Sequence, residues 1–268
     1  MNVRPDATAP IGVFDSGVGG LSVLRALQAQ LPNEQFVYYA DTAFCPYGGR
    51  DIAAIRARAE TVSAELIAAG VKLIVVACNT ATIAAIAHLR ARFDLPFVGM
   101  EPGVKPAAVA SRSRHIGVLA TVSSLAGERF QALVDAHARG VTVHTRACSG
   151  WVEWVESGDL TSVACDTMLR GDVQPLLDAH CDVLVLGCTH FPFLVPALRE
   201  VVGPDVELLD TGPAVARQVE RVLMAADARN DSTVRGGVTW RCSGSAETFR
   251  QQRWMLGFGE GQPGLQAR

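Results

Sequence analysis

Short apolar, β-branched runs recur along this chain, and each is followed by a longer stretch whose apolar positions fall three and four residues apart. That alternation predicts strands and helices in turn. Ile11–Phe14 reads as a first strand, broken at Asp15-Ser16-Gly17-Val18-Gly19-Gly20, and Leu21–Leu31 as an amphipathic helix stopped by Pro32. Gln35–Ala40 is a second strand, and Asp41–Arg50 a loop rich in Pro and Gly. Asp51–Ala69 reads as an Ala-rich helix closed by Gly70, residues 72–77 as a third strand, and a helix follows from about 80 to 92. This βαβαβα series predicts a parallel sheet with helices on both faces.

Pro96-Phe97-Val98-Gly99-Met100 reads as the start of a second series. A helix after Pro102, the strand Ile116–Leu119, a helix over Ala126–Ala138 and the strand Val141–Thr145 continue it. Trp151–Glu156 is a short helix ended by Gly158; Leu160–Leu169 is a helix leading to a strand at 183–187. Val206–Leu209 is one more strand, and Asp210-Thr211-Gly212-Pro213 opens a helix ending near Ala226. After the polar stretch Asp227–Arg235 come a strand, Val238–Cys242, a helix, Glu247–Trp254, and a tail from Gly257 that reads as frayed. The expected fold is α/β: two similar halves, each with a mainly parallel sheet flanked by helices.

Composition narrows the class. The 268 residues are 49% hydrophobic, enough for two domains or one large one. A net charge of −3 gives no reason to expect a nucleic-acid surface, and no apolar run spans a bilayer. Met1–Pro10 is polar and lacks the basic and apolar regions of an export signal, so a cytoplasmic protein is expected. The seven cysteines (45, 78, 148, 165, 181, 188 and 242) are odd in number, which argues against a disulfide framework. No Cys-x-x-Cys occurs, so no metal is expected; Cys188-Thr189-His190 offers two ligands without evident partners.

Two cysteines stand in matching settings. Lys72-Leu73-Ile74-Val75-Val76-Ala77 runs into Cys78-Asn79-Thr80, and Asp182-Val183-Leu184-Val185-Leu186-Gly187 runs into Cys188-Thr189-His190. Each reads as a buried parallel strand that delivers a thiol to its C-terminal edge, where the ligands of open α/β sheets bind. A helix starting there favours the thiolate. Cys165, Cys181 and Cys242 read instead as small buried hydrophobes. The turn Gly17-x-Gly19-x-x-Ser22, with Asp41 at the end of the second strand, comes near a dinucleotide fingerprint, but Asp15 precedes it where a pyrophosphate would lie. The loop Ala40-Asp41-Thr42-Ala43-Phe44-Cys45-Pro46-Tyr47-Gly48 lies on the same edge and offers amides and the Tyr47 hydroxyl. His190 is placed to exchange a proton with a thiol or a substrate, whereas Glu156 reads equally as a solvated helix charge.

With those residues assembled, the chain resembles the cofactor-independent aspartate/glutamate racemase family. The matching stretches are Gly12 through Gly20, Asp41-Thr42 with Pro46-Tyr47-Gly48, Ala77-Cys78-Asn79-Thr80-Ala81, Glu101-Pro102, Gly187-Cys188-Thr189-His190 and Leu209-Asp210-Thr211-Gly212, in order over nearly the whole chain. The resemblance implies two α/β domains, 1–97 completed by 211–268 and 98–210, with the active site between them. It implies interconversion of L- and D-glutamate without cofactor or metal, for peptidoglycan synthesis. It implies Cys78 and Cys188 as acid/base thiols, Cys188 acting first on L-glutamate and Cys78 on D-glutamate, with Asp15 assisting Cys78, and Glu156 and His190 assisting Cys188. Ser16, Pro46, Tyr47, Gly48, Asn79, Thr80, Thr121 and Thr189, with Asp15 and His190, would hold the substrate. Ser123-Ser124 and Phe130 take the places of a Gly-Thr pair and a tyrosine usual in the family, and Cys148-Ser149 that of Cys-Pro. A homodimer is expected, with neither nucleic acid nor membrane as partner. The readings this competes with are a dinucleotide-dependent oxidoreductase, an amino-acid-binding protein and a racemase for aspartate or another acid.

Overall fold

The computed structural model describes residues 6–126 and 128–259. The frayed tail read from Gly257 lies, from residue 260 on, outside the described residues, as do the first five residues of the polar N-terminus. The described residues form two compact units: those up to Met100 with those from Gly212 on, and those within Glu101–Thr211.

The first unit holds the strands β1 (Ile11–Asp15), β2 (Phe36–Ala40), β3 (Leu73–Val76), β4 (Phe97–Val98) and β9 (Val238–Cys242), all parallel, in the order β4-β3-β1-β2-β9. Its helices are α1 (Leu21–Gln30), α2 (Ile52–Ala68), α3 (Asn79–Arg92), α10 (Gly212–Ala225) and α11 (Ala246–Met255). β1, β2 and β3 are buried along their whole length, because helices cover both faces; hence their unbroken apolar runs. Phe14, Val37, Ile74 and Val76 pack against Ile55, Val62 and Leu66 of α2 and Ala81 and Ala85 of α3, while α1 packs against α10.

The second unit holds β5 (His115–Ala120), β6 (Thr142–Ala147), β7 (Val183–Leu186) and β8 (Glu207–Asp210), again all parallel, in the order β6-β5-β7-β8. Its helices are α4 (Val104–Ala110), α5 (Val122–Leu125), α6 (Glu128–His137), α7 (Trp151–Ser157), α8 (Val163–Asp178) and α9 (Val195–Val202). The α/β class with two parallel sheets is as the sequence predicts.

Three elements depart from the sequence reading. Pro96–Met100 does not open the second series: Phe97 and Val98 pair with Ile74 and Val75 as the edge of the first sheet, and the Pro96 carbonyl accepts the Ile74 N–H at 3.0 Å. The helix expected over Ala126–Ala138 is α6, but a short helix that the sequence reading leaves out, α5, precedes it, because Thr121 caps it by accepting the Ser124 N–H at 3.3 Å. α8 starts later than Leu160, because Ser162 caps it through the Cys165 N–H, and runs past Leu169 through Pro175. Buried Leu169, Val173 and Leu176 outweigh the one hydrogen bond the proline forfeits. Cys165 and Cys181 are buried as expected; Cys242, on the edge strand β9, is only half-buried.

A buried ion pair and a half-buried carboxylate organise the ends of strands opposite the candidate site. Lys72 Nζ lies 2.6 Å from Glu34 Oε2 and donates to the Ala7 carbonyl, and Glu34 Oε1 accepts the Asn230 N–H at 2.9 Å. The pair therefore ties together four separate segments of the first unit. In the second unit Asp182 accepts the Ser111 hydroxyl at 2.6 Å and the Arg112 and Ser113 amides at 2.7 and 2.8 Å. Burial alone would raise this carboxyl; the Ser111, Ser113 and Arg112 hydrogen bonds overcome it and hold its pKa at about 2. A depressed carboxyl stabilises the fold above the unfolded value near 3.9 and loses that contribution as pH falls through about 4 to 2. Asp182→Asn is expected to lower stability by about 2 kcal/mol at pH 7 and by progressively less below pH 4, measured by urea unfolding across that range.

Candidate active site

The first sheet gathers its chemistry at one edge because parallel strands all end there. β1 ends in Asp15, β2 is followed by Asp41 and β3 leads to Cys78; Asp41 N–H bonds the Asp15 carbonyl at 2.9 Å, and Ala77 N–H bonds the Phe14 carbonyl at 2.8 Å. Cys78 is the N-cap of α3: its sulfur accepts the Ala81 N–H at 3.4 Å and lies 3.9 Å from the Ser16 hydroxyl. A cysteine thus fills a position usually taken by Ser, Thr, Asp or Asn, and its sulfur meets the amide donors of a 14-residue helix. Next to it Asn79 is buried, and neither its amide oxygen nor its nitrogen has a hydrogen-bond partner among the described residues. An unsatisfied buried amide is costly, so this side chain is the kind a polar ligand completes. Thr80 and Ser16 are buried alongside.

Asp15 is fully buried, and its Oδ2 accepts the Gly20 N–H at 2.6 Å. A Cβ on Gly20 would stand 2.7 Å from Asp15 Cβ and 2.9 Å from the Tyr38 hydroxyl, so only glycine lets the turn close on the carboxylate. The amide that a pyrophosphate would take in a dinucleotide site is therefore already occupied by an acid. The second feature of that fingerprint fares no better. Asp41 is fully buried and spends its carboxylate on the Tyr47 hydroxyl at 2.6 Å and on Arg58 at 2.6 and 3.1 Å. Burial first, then the bond to Asp41, pushes the Tyr47 hydroxyl well above its ordinary pKa. Tyr47 consequently points its hydroxyl into the interior. Pro46, after a cis Cys45–Pro46 bond, is exposed and Gly48 half-buried, with the Phe44 and Pro46 carbonyls held by Arg50 Nε at 2.8 and 3.0 Å.

The second sheet repeats the placement with different chemistry. β7 leads through Gly187 to Cys188, and the Gly187 N–H bonds the Leu119 carbonyl at 2.7 Å. A Cβ there would lie 2.8 Å from that carbonyl oxygen, which makes glycine obligatory before the thiol. Cys188 Sγ lies 3.7 Å from His190 Nδ1, and His190 Nε2 lies 2.8 Å from Glu156 Oε1. All three belong to one relay although Glu156 stands on α7, which begins at Trp151. Trp151 is fully buried, its ring centroid 4.7 Å from that of Phe191, and it donates to Asp172 at 2.7 Å; this fixes α7 against the His190 turn.

His190 is almost wholly buried. Burial alone would drive it neutral, but its hydrogen bonds to Cys188 and Glu156, and their negative charge, raise its pKa well above the ordinary value. Protonated, it carries an N–H on each ring nitrogen and can face the carboxylate and the sulfur at once. Thr189 is buried beside it; Thr121, half-buried at the end of β5, meets the Ser124 hydroxyl at 2.9 Å. Cys148 has its thiol pKa raised by burial and by the charges of Asp172 and Cys188, and remains a thiol at neutral pH. Phe130 is a buried core residue of this unit. Arg58 is the participant that the sequence reading does not single out; it is an arginine on a helix, 17 residues from Asp41, with nothing in the spacing to join them.

Fold and edge residues place the chain among α/β enzymes that work at the C-terminal ends of parallel strands. The model for the Asp/Glu/Hydantoin racemase family matches residues 11–219. A glutamate racemase of Herpetosiphon aurantiacus is 51% identical over 247 residues, covering 92% of this chain and 97% of its own. One from Pseudomonas entomophila is 52% identical over 241 residues, 90% of each. The crystal structure of glutamate racemase from Thermus thermophilus in complex with β-chloro-D-alanine superposes with a TM-score of 0.78 at 39% identity, covering 95% of this chain and 96% of the other. The chain belongs to the Asp/Glu/Hydantoin racemase family and is an amino-acid racemase.

Because the Glu156 carboxylate helps hold the proton on His190, Glu156→Gln is expected to lower the His190 pKa. A raised histidine stabilises the fold fully below about pH 6.5 and loses that contribution as pH rises through its folded pKa. The loss should therefore be smaller in the variant and complete at a lower pH. Imidazole NMR titration, followed by thermal unfolding at the same pH values, checks both.

Proposed function

We propose that this enzyme interconverts L- and D-glutamate without a cofactor, with Cys78 and Cys188 as its two acid/base groups, and that it supplies D-glutamate for peptidoglycan synthesis. The observation that carries the reading is the pair of buried thiols, each at the C-terminal end of a buried parallel strand and each with its own polar support. Glutamate is the substrate because relatives about half identical over most of the chain are glutamate racemases. We also take the enzyme to act in the cytoplasm as a homodimer. No described helix is long and apolar enough to cross a membrane.

The chemistry follows from the symmetry of the reaction. Two enantiomers have equal free energy, so the equilibrium constant is one and kcat/KM is the same in both directions. A carbon that loses its proton from one face and regains one on the other needs a base and an acid on opposite sides. In the L-to-D direction the Cys188 thiolate takes the α-proton: the C–H bond breaks and an S–H bond forms. The Cys78 thiol gives its proton to the opposite face and becomes the thiolate that starts the return reaction. A protonated His190, held by Glu156, stabilises the charge on the Cys188 sulfur. Amide donors at the start of α3 stabilise that on Cys78. Asn79, Thr80, Ser16, Thr121 and Thr189 meet the polar groups of the amino acid, and the Pro46-Tyr47-Gly48 turn completes the site with backbone groups.

Incubating L-glutamate with the enzyme in D₂O, and following optical rotation with deuterium entry at Cα, tests this directly. Cys78→Ala and Cys188→Ala are each expected to lower racemisation by at least about a thousandfold, the scale of losing an acid/base group. Near-normal turnover in either variant would refute the two-thiol scheme. Faster exchange with L-aspartate than with L-glutamate would overturn the choice of substrate.

A further inference from the structure

We infer that Arg58 is a positioning residue for racemisation: its guanidinium fork orients the Asp41 carboxylate, and through it Tyr47, so that the Pro46-Tyr47-Gly48 turn is set before substrate arrives. The inference rests on the reading that this turn contacts the substrate.

Asp41 sits where β2 ends, and no part of it reaches solvent. An ionised carboxylate at such a place needs a full set of partners. Arg58 supplies most of them, with Nη2 at 2.6 Å from Oδ1 and Nε at 3.1 Å from Oδ2. A planar fork on a planar carboxylate leaves that carboxylate one orientation. Oδ2 then stands where it accepts the Tyr47 hydroxyl at 2.6 Å. Tyr47 is 1% exposed, and the backbone of the proposed substrate turn hangs from it. The same guanidinium lies 3.9 Å above the Phe44 ring, so α2 grips the loop a second time, ahead of the turn.

The other arginine at the loop, Arg50, acts differently. It bonds the carbonyls of Phe44 and Pro46 from within the same segment, so it shapes the turn but anchors it to no other element. Arg58 belongs to the 17-residue helix α2, whose Ile55, Ala59, Val62 and Leu66 are packed into the core. It therefore transmits the position of a rigid helix to the turn. The Asp41 amide also bonds the Asp15 carbonyl at 2.9 Å, which ties the same network to the strand next to β3.

The test is a comparison of Arg58→Met, Arg58→Lys and Tyr47→Phe, with the double variants, in the full-length enzyme. Steady-state racemisation of glutamate is measured in both directions beside thermal unfolding. Arg58→Met is expected to raise KM about tenfold while kcat changes by less than about threefold, because the substrate contacts are loosened and the thiols are untouched. Arg58→Lys keeps the positive charge that compensates Asp41, and so the fold, but offers no fork; it too should raise KM. Adding Tyr47→Phe to either variant should raise KM no further than the larger single effect, since both cut the same chain of bonds. KM within twofold of wild type in Arg58→Lys and in any folded Arg58→Met overturns the inference, as do costs that multiply in the double variants. A wild-type enzyme that neither racemises glutamate nor exchanges its α-hydrogen overturns the underlying reading of function, and the positioning role falls with it.

Discussion

Every polar group of consequence in this molecule depends on one constraint, that the strands of each sheet run the same way. In a parallel sheet the chain leaves every strand at a common edge and must enter a helix or loop there. Asp15, Asp41 and Cys78 are far apart in sequence, yet they follow three neighbouring strands and arrive together. Cys188 and Thr121 arrive together in the second unit for the same reason, after β7 and β5. The β3 and β7 strands that lead to the thiols are purely apolar, so nothing along their length competes for the polar chemistry at their ends.

The two thiols occupy equivalent places and are supported by different means. Cys78 draws on backbone donors, which carry no titratable group and hold their polarity at any pH. Cys188 draws on a buried imidazole and a carboxylate, whose charge is a function of pH and of each other. The reaction proposed for them is symmetric in free energy, but its two halves are served by asymmetric machinery. Each direction must then respond to pH through whichever side is carrying the proton, even though the overall efficiency stays equal in both.

Buried charge is used sparingly and in well-connected networks. Lys72 with Glu34 closes the end of the first unit away from the thiol, and Asp41 with Arg58 and Tyr47 closes the end beside it. Such pairs add little net stability when compared with apolar packing, but they tolerate only one geometry. That is their use here: a carboxylate that must satisfy several donors at once fixes the backbone segments that carry them. Gly20 and Gly187 show the same economy in steric form, since a single methyl group at either place would strike the residues that define the edge.

The sequence by itself determined the class of fold, since apolar runs alternating with amphipathic stretches have few other solutions, and it marked Cys78 and Cys188 as a pair through their repeated local setting. Local signals sufficed there because strand period, helix caps and the residue following a strand are all written within a few positions. Helix ends controlled by a single side chain were less legible: the Thr121 cap starts a short helix, α5, that the apolar pattern does not show, and packing carried α8 through Pro175. Pro96–Met100 joined the first sheet because an edge strand is chosen by its partner, β3, rather than by its own composition. Only the tertiary structure turned the Tyr47 hydroxyl inward, joined Arg58 to Asp41 and set Glu156 against His190. Those bonds link residues on separate elements, and their existence depends on how helices lie over a sheet, a relation that no spacing along the chain records.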